Sequence, residues 1–497
     1  MANDGDASSG PPVQAKPGLA VRSAMLWNLA HYGVSQLVAA GVFLYLAARL
    51  DPVVFGVFAL ASLLVDAFAV EARSAAVDLI VAGRHFSARA LSTFYHLLLA
   101  GAVASYAAVV LACGVLGGPL QAPGLALATA ALGLSILVAP RLAAHEALAV
   151  GELRFRALAV RNIAASLISA AVAVLTVMAG APEWALVTQR LAASLAGLLT
   201  LARLAPWRPA RVFDGALGKR LAPSFGKLWL SQLVTFGLGR IPDLLIGARL
   251  SVGALGLYRV AARLADIVQS AVTSPLAGLL VPVLSRFAGD LRAQAEQYRQ
   301  IAAVTALLTT PALTGLALLA GEIVHALLAP QYAAVAPLVA LLAAAGLAAP
   351  FAHFRGGVLV AAGQPGLAAT LALVDLAATA AAVWCGASFG LTGAAAGVLL
   401  ASGAAAALSA VVIARALASP VIPLVATCAP PYVGAGAMGI ALTLGAPFAD
   451  GWPLAARLAA GIAGGAVVFV GWMALVHRRW LAARLDYLRA RRTSAAT

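Results

Sequence analysis

Long apolar runs, most of them near the roughly 20 residues that carry a helix across a bilayer, alternate along this chain with short polar breaks. They fall at Met25–Ala48, Val53–Val81, Leu91–Leu116, Leu125–Val150, Leu158–Gly180, Trp184–Leu204, Leu228–Gly247, Gly253–Leu284, Ile301–Leu328, Ala333–Val360, Leu367–Ser388, Leu391–Val412, Leu424–Ala446 and Pro453–Val476. Within each run apolar residues are continuous rather than alternating with polar ones, so helices are expected and barrel strands are not. The pattern predicts an all-α integral membrane protein of about fourteen transmembrane helices.

The polar stretch Pro206–Lys227 leaves six runs before it and eight after. The expected organisation is a disordered cytoplasmic tail over 1–22, an N-lobe over 23–205 with helices 1–6, and a cytoplasmic linker over 206–227. A C-lobe over 228–418 with helices 7–12 follows, then helices 13 and 14 over 419–477 and a basic cytoplasmic tail over 478–497. The first run is too long for a signal-peptide core and lacks a convincing cleavage site, so it is expected to stay in the mature protein.

The two lobes share residues at a fixed offset. Ala48-Arg49-Leu50 returns as Ala248-Arg249-Leu250, and Gly56, Ala61, Leu64 and Asp66 return as Gly256, Ala261, Leu264 and Asp266. Upstream, Ser35-Gln36-Leu37-Val38 returns as Ser231-Gln232-Leu233-Val234. Because six helices separate the copies, both lobes enter the membrane in the same direction, which makes a parallel repeat about an axis along the membrane normal. Such a pair encloses a central cavity that can open to either side.

Composition agrees with lipid as the solvent: 63% of residues are hydrophobic, 10% are charged, and the mean hydropathy is +0.96. The net charge of +15 would suggest nucleic acid in a soluble protein, but here it is distributed by side. With the N-terminus cytoplasmic, 24 of the 33 Lys and Arg lie on the tails and even-numbered loops, counting Arg161, Arg203 and Arg355, which stand near the ends of their runs, with the loops they adjoin. Only Arg49, Arg249 and Arg457, the last at the start of its run, are assigned to the odd-numbered loops, and six fall deeper inside runs. Lys and Arg accumulate on the cytoplasmic side, so both termini are expected there, in a bacterial inner membrane. Cys113, Cys385 and Cys428 sit singly in apolar surroundings, which indicates neither disulfide nor metal site. No cofactor is expected, and no nucleophile–base constellation or phosphate loop points to an enzyme.

Charges inside spans cost about 2.5–3.5 kcal/mol each at mid-helix, and so face water or one another. Run seven holds Arg240 and Asp243, three apart on one face. Run eight holds Arg259, Arg263 and Asp266, again on one face. Arg240, Arg259 and Arg263 are the candidate substrate-binding residues, with Asp243, Asp266 and Asp66 as counter-ions or coupling sites. A structural ion pair is the competing reading for Arg240 and Asp243, as repeat-related packing is for Asp66 and Asp266. Arg73 and Asp78 are assigned to the cytoplasmic end of the second helix, and His353 and Arg355 to an interfacial position. Arg141 and Arg190 are expected to snorkel, and Asp375 stands alone in its run.

Three stretches carry a family resemblance: IPDLLIGARLSVGALGLYRVAARLADI over Ile241–Ile267, LAGLLVPVLSRFAGD ending at Asp290, and GEIVHALLAPQYAAVAPLVALLAAAGL from Gly321. They resemble the polysaccharide-transporter (Wzx-type) flippases of the multidrug/oligosaccharidyl-lipid/polysaccharide exporter superfamily. The sequence departs from that pattern at ARSAAVD after Glu71, where the family commonly has a glycine-containing turn. The resemblance implies two six-helix lobes plus two helices, working by alternating access on a polyprenyl-pyrophosphate-linked oligosaccharide for exopolysaccharide, capsule or O-antigen. It also implies membrane lipid, and a polymerase and chain-length regulator, as partners. The other readings are a peptidoglycan-precursor flippase, a cation-coupled multidrug exporter of the same fold, which would want a net acidic cavity, and a membrane polymerase or ligase, which would want a long periplasmic loop.

Overall fold

The structure, a computed structural model, describes residues 33–82, 87–116, 124–152, 154–210, 212–287, 289–482 and 484. The expected tail over 1–22, the start of the first run and the end of the basic tail lie outside the described residues. Among the described residues the regular structure is helical throughout. The first six helices are α1 (Gly33–Ala47), α2 (Pro52–Val81), α3 (Ala88–Leu116), α4 (Leu125–Gly151), α5 (Phe155–Met178) and α6 (Ala185–Leu204). They are followed by α7 (Gly215–Arg249), α8 (Val252–Ser285) and α9 (Leu291–Leu318). Next come α10, a pair Pro330–Gly346 and Ala349–Ala361 bent by 45°, then α11 (Pro365–Gly386), α12 (Gly390–Ala416), α13 (Ala429–Gly445) and α14 (Leu454–Leu475).

The protein is thus an all-α, multi-pass membrane protein. Among the described residues, nine stretches are long and apolar enough to cross a membrane, or ten with the bent α10 pair. One of the nine, Pro365–Ala416, comprises both α11 and α12. The sequence count of fourteen therefore exceeds what length and apolarity alone assign. The expected linker 206–227 is also shorter than anticipated, because helix begins at Gly215. Asp214 caps that start by accepting from Ala216 N at 3.1 Å and Leu217 N at 3.0 Å. The remaining strap lies on α3, with Ala210 N donating to Ser92 Oγ at 2.9 Å and Asp214 N to Thr93 Oγ1 at 3.0 Å.

Local sequence explains how α2 and α8 begin alike. Asp51 and Ser251 each hold extended backbone at the N-cap, Pro52 supplies the first turn of α2, and Ser251 Oγ accepts from Ala254 N at 3.0 Å. The two helices then cross with their backbones in contact. A Cβ added to Gly56 would meet the carbonyl of Val252, and one added to Gly256 would meet the carbonyl of Pro52. Both partners and both glycines are 200 residues apart, so the contact is reciprocal, as two helices related by a local two-fold would make it. Small residues at such a crossing are what permits close packing in lipid, where packing rather than water exclusion joins helices. The cross-lobe hydrogen bonds repeat the same theme. Gln36 on α1 donates to Ser270 on α8 at 2.9 Å, and its counterpart Gln232 on α7 donates to Asp78 on α2 at 3.3 Å.

Candidate functional site

Arg240 and Asp243 of α7 and Arg259 of α8 converge with one residue each from α2 and α6 where the two halves meet. Arg240 donates from Nη1 to Asp243 Oδ2 at 3.3 Å and from Nη2 to Asp66 Oδ2 at 3.4 Å. Arg259 Nη1 lies 3.2 Å from Asp243 Oδ2, and Arg190 pairs with Asp66 Oδ1. The result is a continuous chain, Arg190–Asp66–Arg240–Asp243–Arg259, in which three guanidinia share two carboxylates. Asp243 is fully buried, while the three arginine side chains keep 22–36% of their surface exposed. The anions thus sit inside, and the cations are partly exposed, Arg259 on the wall of a cavity. Pro242 interrupts the hydrogen-bond ladder of α7 within this segment.

A cavity of about 380 Å³ opens beside the network, lined by Arg259, Asp266, Gln269, His353, Asp375 and Thr379 among other residues of α7, α8, α10, α11 and α12. Asp266 presents its side chain to this cavity, and Arg263 is half-buried one turn beyond Arg259. Of the residues singled out by sequence, Arg240, Asp243, Arg259 and Asp66 form one connected group. Asp266 joins Arg259 through the shared cavity wall.

Several residues take positions the sequence reading does not anticipate. Arg190, expected to snorkel, is instead a partner of Asp66. Arg355, expected at the interface, is 5% exposed, because the bend in α10 turns it inward. It forms a fork on the Asp375 carboxylate and donates to Ser409 Oγ at 3.1 Å, so Asp375 does not stand alone. Arg73 pairs with Glu146, and Glu146 also accepts Arg161 at 3.1 Å. The sequence reading misses Glu146, although an acid in the apolar run 125–150 is a visible signal.

The Arg355–Asp375 pair yields a direct prediction. Breaking a buried pair by removing one partner costs about 3–5 kcal/mol, whereas replacing both by apolar groups is often neutral. Asp375→Leu alone should lower membrane abundance severely, and Arg355→Met/Asp375→Leu should restore most of it on immunoblots of membrane fractions. Equal abundance of the single and double variants would show that the pair does not stabilise the fold.

Comparison with known proteins places this geometry. Over 283 residues the chain is 26% identical to the teichuronic acid biosynthesis protein TuaB of Bacillus subtilis (strain 168), covering 56% of this chain and 58% of that protein. Over 199 residues it is 29% identical to the succinoglycan biosynthesis transport protein ExoT of Rhizobium meliloti (strain 1021), covering 39% and 40%. The matched regions thus span under two thirds of either relative. Among solved structures, the lipid II flippase MurJ in an inward closed conformation superposes with a TM-score of 0.66 at 13% identity, covering 93% of this chain and 99% of that one. An inward-facing multidrug resistance MATE family transporter of the MOP superfamily gives 0.57 at 15% identity, covering 81% and 98%. At such identities the likeness is one of fold, and the fold is that of these transporters. The family model for polysaccharide biosynthesis proteins matches residues 45–337, a stretch that contains all five residues of the ion chain, and this protein is a member of that family.

Proposed function

We propose that this protein is a flippase that moves polyprenyl-pyrophosphate-linked oligosaccharide repeat units from the cytoplasmic to the periplasmic leaflet by alternating access of two lobes, residues 23–205 and 228–418. The observation that carries this reading is the surplus of guanidinium in the chain Arg190–Asp66–Arg240–Asp243–Arg259. Cations in apolar helices are tolerated where water or an anion reaches them. Arginine suits the pyrophosphate because its planar fork matches phosphate oxygens two at a time. Between cargoes the carboxylates of Asp66 and Asp243 hold the forks in place, and an arriving pyrophosphate takes over part of their coordination. Arg263 and Asp266 extend the polar surface along α8 toward the cavity that would receive the sugars. Family membership and the transporter fold support the same cargo class and argue against catalysis by the chain itself. Both termini lie in the cytoplasm on this reading, and a polymerase and chain-length regulator would act on the delivered units.

The test is translocation by purified full-length protein in liposomes. A fluorescent polyprenyl-pyrophosphate oligosaccharide is incorporated in both leaflets, and a membrane-impermeant quencher is added outside. Protein-free vesicles should lose only the outer-leaflet signal, whereas vesicles with the protein should lose nearly all of it. Fluorescent phosphatidylcholine should lose only its outer-leaflet signal in both. Protection of the glycolipid at the protein-free level, or equal loss of phosphatidylcholine signal, would overturn the proposal.

A further inference from the structure

A second cavity lies in the N-terminal half, among α2, α3, α4 and the first half of α7. It holds about 290 Å³ and is walled by Phe68, Phe94, Leu97, Leu221, Phe225 and Trp229. Trp229 is held in place by its Nε1, which donates to the Ala67 carbonyl at 3.1 Å, and its ring lies over Phe225 with centroids 6.3 Å apart. The backbone from Ala67 to Glu71 makes a π-helical turn, a local widening of the helix that recurs at functional sites.

Two features distinguish this cavity from an ordinary gap between helices. The first is its charge. Its polar corner is Arg73, which shares the single carboxylate of Glu146 with Arg161, so that two guanidinia meet one acid in a partly exposed group. An apolar chamber with a surplus cation at its edge is complementary to an amphipath with an anionic head, and a purely hydrocarbon ligand would leave the cation unused. The second is its opening. Gly101 and Ala222 on its wall are exposed on the outer surface, Leu97 is 40% exposed, and a Cβ at Gly101 would meet nothing within 4 Å. The mouth therefore opens to the protein surface between α3 and α7.

Depth separates the two cationic groups. On α2, Asp66 lies 14 residues from Pro52 and Arg73 lies 21, so at 1.5 Å per residue they are about 10 Å apart along the helix axis. Arg73 is the nearer to the end that the charge distribution assigns to the cytoplasm.

We propose that the N-terminal cavity is a loading site for a polyprenyl phosphate, seating the isoprenoid next to the phosphate in the aromatic chamber and the phosphate itself against Arg73 and Arg161. The site rests on the flippase reading for its place in a cycle. Cargo would enter from the inner leaflet between α3 and α7, dock its phosphate on the Arg73–Glu146–Arg161 group, and pass it to the Arg240 and Arg259 group at greater depth.

A polyprenyl monophosphate carrying a diazirine on the isoprenoid nearest the phosphate tests the site without any glycan. With full-length protein in phosphatidylethanolamine/phosphatidylglycerol nanodiscs, crosslinks should concentrate on peptides from α3 and the first half of α7. Unlabelled polyprenyl monophosphate should compete, and added phosphatidylglycerol should not. Gly101→Phe, which projects into the mouth without striking backbone, should lower the yield about tenfold, as should Arg73→Gln, whereas Gly101→Ala should leave it unchanged. Crosslinks spread evenly over the lipid-facing helices, displacement by phosphatidylglycerol, or an unchanged yield in Gly101→Phe would overturn the loading site. If this labelling fails while the protein still moves the fluorescent glycolipid, the loading site falls and the flippase reading stands. If labelling is found without glycolipid movement, the flippase reading falls and the lipid-phosphate site stands.

Discussion

Gly56→Ala and Gly256→Ala are expected to open the end of the protein marked by Arg49 and Arg249, the outer end on the proposed topology, an effect out of proportion to the one methyl group added. The atoms in the way are the carbonyl oxygens of Val252 and Pro52, which belong to backbone and cannot rotate aside. The helices must move apart instead, and they form the contact between lobes at the end marked by Arg49 and Arg249. The substitution Ala262→Cys, on the cavity wall, reports the change in a background where Cys113, Cys385 and Cys428 are replaced by serine. Reaction of the introduced thiol with an impermeant maleimide added outside should accelerate about tenfold in Gly56→Ala, since shifting a two-state balance by about 1.4 kcal/mol changes populations tenfold. Gly436→Ala serves as the control, because a Cβ there meets nothing within 4 Å. Labelling at position 262 at the parental rate in both glycine variants would mean that the α2–α8 crossing is not the outer seal.

That crossing is legible in the sequence to the extent that matching Gly56 with Gly256 and Arg49 with Arg249 marks α2 and α8 as counterparts. What the matches do not show is that the counterparts touch each other, since an offset in sequence says nothing about which helix faces come together. The same limit divides the ion network. Arg240 and Asp243 are three residues apart, and helical spacing alone puts them side by side. The pairings of Asp243 with Arg259 and of Asp66 with Arg190 join different helices, the second across 124 residues, and depend on how helices cross. Snorkelling is a sound expectation for an arginine in an apolar run when no acid lies nearby in sequence; Asp66 is nearby only in space. Arg355 is misplaced for a related reason. At the end of an apolar run it reads as interfacial, and only the bend within α10 places it inside, against Asp375.

The largest functional effect is expected at Arg240 and Arg259, and the fold itself supplies a way to separate cargo binding from support of the protein. Asp243 is buried to 0% exposure and both arginines pair with it. Arg240→Ala/Arg259→Ala therefore strands a buried carboxylate, a defect of about 3–5 kcal/mol, and the double variant should accumulate poorly whatever the arginines do in transport. Adding Asp243→Asn removes the stranded charge at nearly the same volume, so the triple variant should return to near-parental abundance. If the arginines only hold the helices together, translocation in the liposome assay should return with it. If they bind pyrophosphate, the triple variant should fold, insert and remain inactive, because no carboxylate substitution replaces the lost forks. Arg240→Lys and Arg259→Lys refine the distinction: each keeps the charge that balances Asp243 but lacks the planar bidentate geometry, so abundance should be normal and translocation only partial. Full activity in the triple variant would refute pyrophosphate binding at this cluster and turn attention to the cavity formed by Asp266, His353 and Asp375.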